Sequence, residues 1–375
     1  MVKDTVDQKD LVTLFLDFTH IKIKKRKRVN GQKVYYSLLP FGTLPRGGTA
    51  LVTTTQAGFY LGDRKTTYLS HITFSPSTNL HGQFNLPFIS NVWSAGNKWN
   101  FTSDIRYTYI PQDTWGLGGK QQEADKLRIN YSYLRLYATA LKKIRPYLFA
   151  GMGYHLDYQV NIRPADDSSS IQQFTGYQYG TLNYSNSFSS GISFNLLYDT
   201  RANSINPLSG YYGNLAFRIN PTFLGSNQRW YSLYADARKY IPFTEKGQNV
   251  LALWTYFWTT FGSPSPYLGL PAVGWDTEQK SGRGFYNRRY TGSTLWYLEA
   301  EYRKDISRNG LLGFVVFANL NSVTEPGTGQ FAYLHPAAGT GLRFKFNKNT
   351  GTNIGVDIGV SKGYTGIYFN LGEAF

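Results

Sequence analysis

The side chains that could do chemistry are sparse. Five histidines, His20, His71, His81, His155 and His335, are scattered along the chain, and none pairs with another ligand at helical or hairpin spacing. No metal site is expected from them. Cysteine is absent, which excludes a disulfide framework, a thiolate metal site and a cysteine nucleophile. There is no phosphate-binding loop, no dinucleotide fingerprint and no G-x-S-x-G elbow. The carboxylates that stand out are Asp199, Asp236, Glu299 and Glu301, each with arginine or lysine close by in sequence. A neighbouring cation favours the charged carboxylate over a poised acid. These residues read as members of a polar network. Neither catalysis nor a cofactor is expected.

The elements that would carry such a network show a period of two. From Leu295 to Arg303 one face holds Leu295, Tyr297, Glu299, Glu301 and Arg303, and the other holds Trp296, Leu298, Ala300 and Tyr302. From Trp230 to Ile241, Asp236 and Arg238 oppose Tyr231, Leu233, Ala235 and Ile241. From Trp99 to Ile110, Asn100, Thr102, Asp104, Arg106 and Thr108 oppose Trp99, Phe101, Ile105, Tyr107 and Tyr109. One charged and one apolar face suit a strand between lipid and a polar lumen. The segments run about ten residues, as a tilted membrane strand requires. Tyr and Trp recur at their ends, where an interfacial girdle would lie. A soluble sandwich also alternates, but it has no need of that length or that girdle.

Composition agrees. Of 375 residues, 30 are Tyr, 25 Phe, 8 Trp and 38 Gly, a mixture suited to pleated strands and tight turns. The longest apolar-rich stretch, Val250 to Phe261, is too short for a membrane helix. A membrane protein of this sequence must therefore be a closed barrel, since only helices and barrels satisfy every backbone group in lipid. The net charge of +16 could address nucleic acid or anionic lipid headgroups. No nucleic-acid recognition motif accompanies it, so lipid is the expected partner. Residues 1–31 form an N-terminal segment. Leu11, Leu14, Phe15 and Phe18 sit at helical spacing after Asp10, ahead of the basic cluster Lys22 to Arg28. That segment reads either as a short amphipathic helix, on a membrane surface or in the barrel mouth, or as an unordered tail. Residues 32–375 read as an all-β, sixteen-stranded antiparallel transmembrane barrel. Its segments run from Lys33–Leu39 to Gly366–Phe375, with long loops near Asn161–Asn186 and Gly262–Gly292.

Three motifs resemble the outer-membrane assembly-factor superfamily typified by BamA and TamA, also called the bacterial surface antigen family. The first runs through Asp199, Arg201 and Asn203 to Pro207 and Gly210, similar to that family's strand-to-turn segment, with Ala202 where an Asp is common. The second is Gly282-Arg283-Gly284-Phe285, similar to the R-G-F/Y motif at the tip of a loop that folds back into the barrel. The resemblance implies that Arg283 reaches polar or acidic side chains on the wall. Glu299, Glu301 and Asn319 are the matching candidates. Asn319 stands where the family often has an acid, which leaves the glutamates as the expected partners. The third motif is the C-terminal stretch with Gly366, Tyr368, Phe369, Leu371, Gly372 and Phe375. It resembles the β-signal read by barrel assembly machinery, with Ile367, Phe369, Leu371 and Phe375 on one face of a last strand. The likeness is good from about Ser187 onward. Typical members carry periplasmic POTRA domains before the barrel, and the short N-terminal segment reads instead as that of a barrel-only member.

What the resemblance implies is a bacterial outer-membrane protein that helps insert or organise outer-membrane proteins or lipids through a weak seam between first and last strands. Its partners would be outer-membrane lipids, lipopolysaccharide, and unfolded outer-membrane proteins or envelope-complex subunits. The alternatives are a channel or translocation pore plugged by the inward loop, and a structural subunit of a larger envelope complex.

Overall fold

The computed structural model describes residues 8–19, 34–39, 51–78, 83–109, 111–165, 185–244 and 249–375. Apart from one helix and a few single turns, these residues form strands and their connections. The sixteen strands are β1 (Tyr35–Leu39), β2 (Leu51–Val52 and Thr54–Phe59), β3 (Ser70–Phe74 and Ser77–Thr78), β4 (Phe84–Trp93), β5 (Trp99–Tyr109 and Gln112–Thr114), β6 (Leu127–Arg145), β7 (Leu148–Pro164), β8 (Ser187–Asp199), β9 (Gly210–Asn220), β10 (Trp230–Pro242), β11 (Asn249–Gly262), β12 (Thr294–Asp305), β13 (Leu312–Val323), β14 (His335–Asn347), β15 (Thr352–Ser361) and β16 (Tyr364–Leu371). Each pairs antiparallel with its sequence neighbour, giving a sixteen-stranded, nearly closed barrel.

Three strands are broken where the ladder cannot continue. Pro76 interrupts β3 and Pro111 interrupts β5, because proline brings no N–H to the ladder. Thr53 breaks β2 and bonds instead to the Pro76 carbonyl. The sixth strand is longer than its sequence pattern suggested, Leu127–Arg145 against an expected Arg128–Leu141. Lys142 and Lys143 continue the pairing with β7 even though the apolar alternation has ended.

Polarity is inside out relative to a soluble sandwich. Phe101, Tyr107, Met152, Phe194, Val316 and Ile367 are exposed on the outer wall. Asn100, Arg106, Asp236, Arg238, Glu299 and Glu301 are buried toward the lumen. Among the described residues no helix is long and apolar enough to cross a membrane, so the strands do the spanning.

At the N-terminus, helix α1 spans Leu11–Thr19. Asp10 caps it, accepting from the Thr13 amide at 2.7 Å. The other Asp10 oxygen accepts from the Lys348 amide at 2.8 Å, which ties the helix start to the β14–β15 turn. The basic cluster Lys22 to Arg28 lies outside the described residues.

The last strand ends earlier than the alternation suggested. β16 stops at Leu371, Gly372 takes φ +92°, and Glu373, Ala374 and Phe375 turn into the barrel. Phe375 is therefore not on the outer face with Ile367 and Phe369. Its ring packs in the lumen against Trp254 and Tyr240. The positive φ of Gly372 redirects the chain, a conformation that glycine adopts without a Cβ penalty.

The first and last strands lie near each other at the seam. β1 is five residues long and pairs with β2, while β16 pairs with β15. Among the described residues no ladder joins β1 to β16. Side-chain bonds cross this region instead: Asn347 Nδ2 donates to the Tyr36 carbonyl at 3.3 Å, and the Thr352 hydroxyl donates to Gln56 Oε1 at 3.3 Å.

Candidate functional site

The connection between β11 and β12, residues 263–293, does not project outward but folds into the lumen. Its shape is set locally. Asp276 accepts from the backbone amides of Glu278, Lys280 and Ser281 at 3.2, 3.1 and 2.8 Å, which closes a tight turn. Arg288 is buried and donates to the carbonyls of Leu268 and Tyr267, both at 3.0 Å, tying the two limbs together.

Wall residues grip the backbone at three successive positions. The Gly282 amide donates to the Tyr297 hydroxyl on β12 at 3.0 Å. The Arg283 carbonyl accepts from Asn319 Nδ2 on β13 at 2.8 Å. The Gly284 amide donates to the Tyr368 hydroxyl on β16 at 2.7 Å, and its carbonyl accepts from the Ser361 hydroxyl on β15 at 2.5 Å. Glycine at 284 is a steric requirement. Its φ is +99°, and a Cβ there would lie 2.8 Å from the Ala337 Cβ. Gly359 on the wall complements it, because a Cβ at that position would lie 2.7 Å from the Gly284 nitrogen.

Arg283 reaches three carboxylates. It donates to Glu299 and Glu301 through Nη2 and to Asp357 through Nη1, the last at 2.8 Å. The guanidinium lies 3.7 Å from the centre of the Phe317 ring, a cation–π contact. Glu299 and Glu301 are thus both brought to the loop tip. Asn319 serves as an amide donor to the loop backbone, and the third acid comes from Asp357. Two further arginines share these acids. Arg303 pairs with Glu301 at 2.6 Å, while Arg343 pairs with Asp357 and, at 2.8 Å, with Glu373. Three cations and four carboxylates form one connected cluster in the lumen. Such density is tolerable only because nearly every oxygen has a donor.

Sequence reasoning missed Asp357, Arg343 and Glu373. Asp357 left a faint signal: it is the one acid on an inward face otherwise made of Asn353, Gly355, Gly359 and Ser361. Gly341 makes room for it, since a Cβ on Gly341 would collide with the carboxylate.

The Asp199 motif forms a second ligature. Arg201 grips Asp199 through two bonds of 2.9 Å and stacks 4.2 Å over the Tyr212 ring. Asn203 and Asn206 donate to the carbonyls of Thr350 and Gly351 in the β14–β15 turn, at 2.6 and 3.0 Å. The Pro207 carbonyl accepts from Arg303 at 3.4 Å. Gly210 enters β9 at φ +108°. The turn therefore spans the short-turn end of the barrel and joins its two sides.

A second charged cluster, which no motif indicated, lies on the opposite wall. Asp157 pairs with Arg218 at 2.6 Å and Arg135 at 3.6 Å. Asp104 pairs with Arg106 at 2.5 Å and Arg135 at 3.2 Å. Arg106 reaches across to the Thr277 carbonyl of the inward loop at 3.2 Å. Beside this cluster the Ser193 hydroxyl lies 2.9 Å from His155 Nε2, but Ser193 is fully buried and its oxygen also accepts from Asn195 at 2.8 Å. Here the hydroxyl acts as a link in a lumenal chain of hydrogen bonds. Among the described residues no cluster of His, Asp and Glu has the arrangement of a metal site.

A family model matches most of the chain. The Omp85 superfamily domain covers residues 65–375. The chain belongs to the Omp85 superfamily. Among solved structures, the chain is similar to BamA from Haemophilus ducreyi lacking POTRA domains 1–3, at 15% identity and a TM-score of 0.54, with 91% of this chain and 68% of that one covered. It is also similar to CdiB from Acinetobacter baumannii, at 12% identity and TM-score 0.55, covering 91% of this chain and 66% of that one. CdiB from Escherichia coli matches at 12% identity and TM-score 0.54, covering 91% and 62%. The chain thus spans about two thirds of the length of these relatives. No curated protein matches. Omp85 barrels are outer-membrane proteins of assembly and transport, and the apolar outer wall of this Omp85 barrel is consistent with that setting.

Proposed function

We propose that this Omp85 barrel resides in the bacterial outer membrane and helps insert or organise outer-membrane proteins through the seam between β1 and β16. The observation that carries this reading is the edge of β16. The strand pairs on one side with β15, and no described ladder covers its other side. An uncovered edge presents a row of N–H and C=O groups, a template for an incoming strand. Unfolded outer-membrane proteins are the partners that fit it, with outer-membrane lipids and lipopolysaccharide as the surroundings that a loose seam would perturb.

The chain has no cysteine of its own, so a disulfide can be placed cleanly. Cysteine pairs joining Tyr35–Leu39 to Tyr364–Leu371 would be introduced into the full chain in liposomes. Folding of an unfolded eight-stranded client would be followed by its gel shift. The expected result is client folding severalfold faster than in empty liposomes, loss of that gain on oxidation, and recovery on reduction. Equal acceleration by locked and unlocked protein would overturn the seam mechanism, and no acceleration by either would overturn the function.

The second reading is a plugged pore. It is favoured by the loop of residues 263–293, which folds into the lumen and is held there by noncovalent contacts. Deleting the loop tip should then raise planar-bilayer conductance.

A further inference from the structure

The outer wall over β9–β13 is not smooth. A groove of about 660 Å³ lies there, lined by Tyr211, Gly213, Ala237, Leu253, Ala300 and Ala318. Sheet register explains its form. Gly213 pairs with Ala237, and Ala300 pairs with Ala318, so small residues fall side by side on the lipid-facing surface. Larger outward neighbours stand around them, Tyr211 half exposed and Leu253 exposed.

One end of the groove carries charge. Lys239 is part of the lining, is exposed, and holds its ammonium 5.4 Å from the centre of the Tyr211 ring. It lies three residues before Pro242, where β10 meets its short turn. Short turns mark the periplasmic end of such barrels, so this lysine stands at headgroup depth. Lys304 on β12 is also exposed, four residues beyond Ala300 on the same face. Among the described residues of β9–β13, Asp236, Glu299 and Glu301 are buried toward the lumen, and Asp305, half-buried at the end of β12, falls on the same face as Glu301. Among the described residues the groove is therefore mainly apolar along its length and cationic at its rim.

We propose that this groove seats one anionic glycerophospholipid, with an acyl chain along Gly213, Ala237, Ala300 and Ala318 and its phosphate on Lys239. A bilayer fills any recess in a lipid-facing wall with acyl chain. The cationic rim then selects a headgroup whose phosphate has no ammonium of its own. A second groove of similar size on β5–β7 repeats the arrangement. It is lined by Phe101, Ala140 and Met152, and Lys142, outside the lining itself, lies two residues beyond Ala140 with its ammonium 5.9 Å from the Trp99 ring. The proposal does not depend on insertion activity, and its test reads lipid alone.

The full chain, purified in detergent, would be titrated with palmitoyl-oleoyl phosphatidylglycerol or the matching phosphatidylethanolamine. Bound lipid would be counted by native mass spectrometry. The expected result is preferential retention of phosphatidylglycerol. Lys239→Ala should lower that preference about fivefold, the contribution of one cation at an anionic surface. Ala300→Phe should fill the groove and release one lipid regardless of headgroup. Both side chains face outward and touch none of the lumenal clusters, and an unchanged gel shift on heating would verify the fold. Equal retention of the two lipids by the unaltered protein would overturn the proposal, as would undiminished retention by either variant.

Discussion

Arg283 stands among more negative charge than one guanidinium can neutralise. Glu299, Glu301 and Asp357 all bond to it, and Arg303 and Arg343 share the load. Removing Arg283 would leave buried carboxylates without their principal donor. Breaking a buried pair in this way costs ~3–5 kcal/mol. Arg283→Ala is therefore expected to lower the temperature of the heat-induced gel shift and to open the 263–293 loop to protease. Arg283→Lys should recover only part of the loss, because an ammonium cannot reproduce the forked contact to three acids. Tyr368 offers a milder test. Its hydroxyl accepts from the Gly284 amide, so Tyr368→Phe should cost about 1 kcal/mol and appear as faster amide exchange at the loop tip. At this scale the sequence was partly readable. Alternation placed Glu299 and Glu301 on one face of one strand, and the family resemblance of the Gly282–Phe285 motif implied that Arg283 reaches them. Asp357 could not, because it is 74 residues from Arg283 in the chain and meets it only through the lateral register of four strands.

At the scale of elements, the inward loop and the last strand behave as one unit. Gly284 bonds to Tyr368 on β16, Ser361 on β15 bonds to Gly284, and Gly359 provides the space for that approach. Gly359→Ala changes no charge, yet its Cβ would strike the Gly284 backbone. It is expected to release the loop as Arg283→Ala does, with increased protease cleavage between 274 and 289. If cleavage stays at the unaltered level, the close approach does not hold the loop. Strands and their number were legible from alternation and turn chemistry, since period two with an apolar outer face is a direct consequence of lipid on one side. Strand ends were less so. The pattern of apolar residues continued through Phe375, but Gly372 turns the chain, and a backbone dihedral leaves no trace in hydropathy. The Asp199 turn is a third case. Asn203→Ala removes a bond across the barrel floor to Thr350, with an expected cost of about 1 kcal/mol, measured as a lower denaturant midpoint.

At the scale of the molecule, the barrel holds a loop in its lumen, and among the described residues no ladder joins β1 to β16, so its weakest point is in its wall. Charge clusters on opposite sides hold the loop between them, Arg106 from one side and Glu299, Glu301 and Asp357 from the other. If the loop is a plug, deleting residues 274–289 should raise single-channel conductance severalfold. If the seam is the working part, the same deletion should instead weaken β16 and change client folding without a steady current. The two measurements on one variant separate the readings.

The inward turn at Gly372 also governs how the protein can be handled. Phe375 sits between Trp254, Tyr240 and Arg303, with its carbonyl accepting from Arg303 at 2.8 Å. Anything joined after Phe375 begins its path inside the barrel. A purification tag or fluorophore attached there would have to thread out past the Pro207 turn or pull the aromatic anchor from its seat. Labels intended as neutral reporters belong in the loops at the opposite rim.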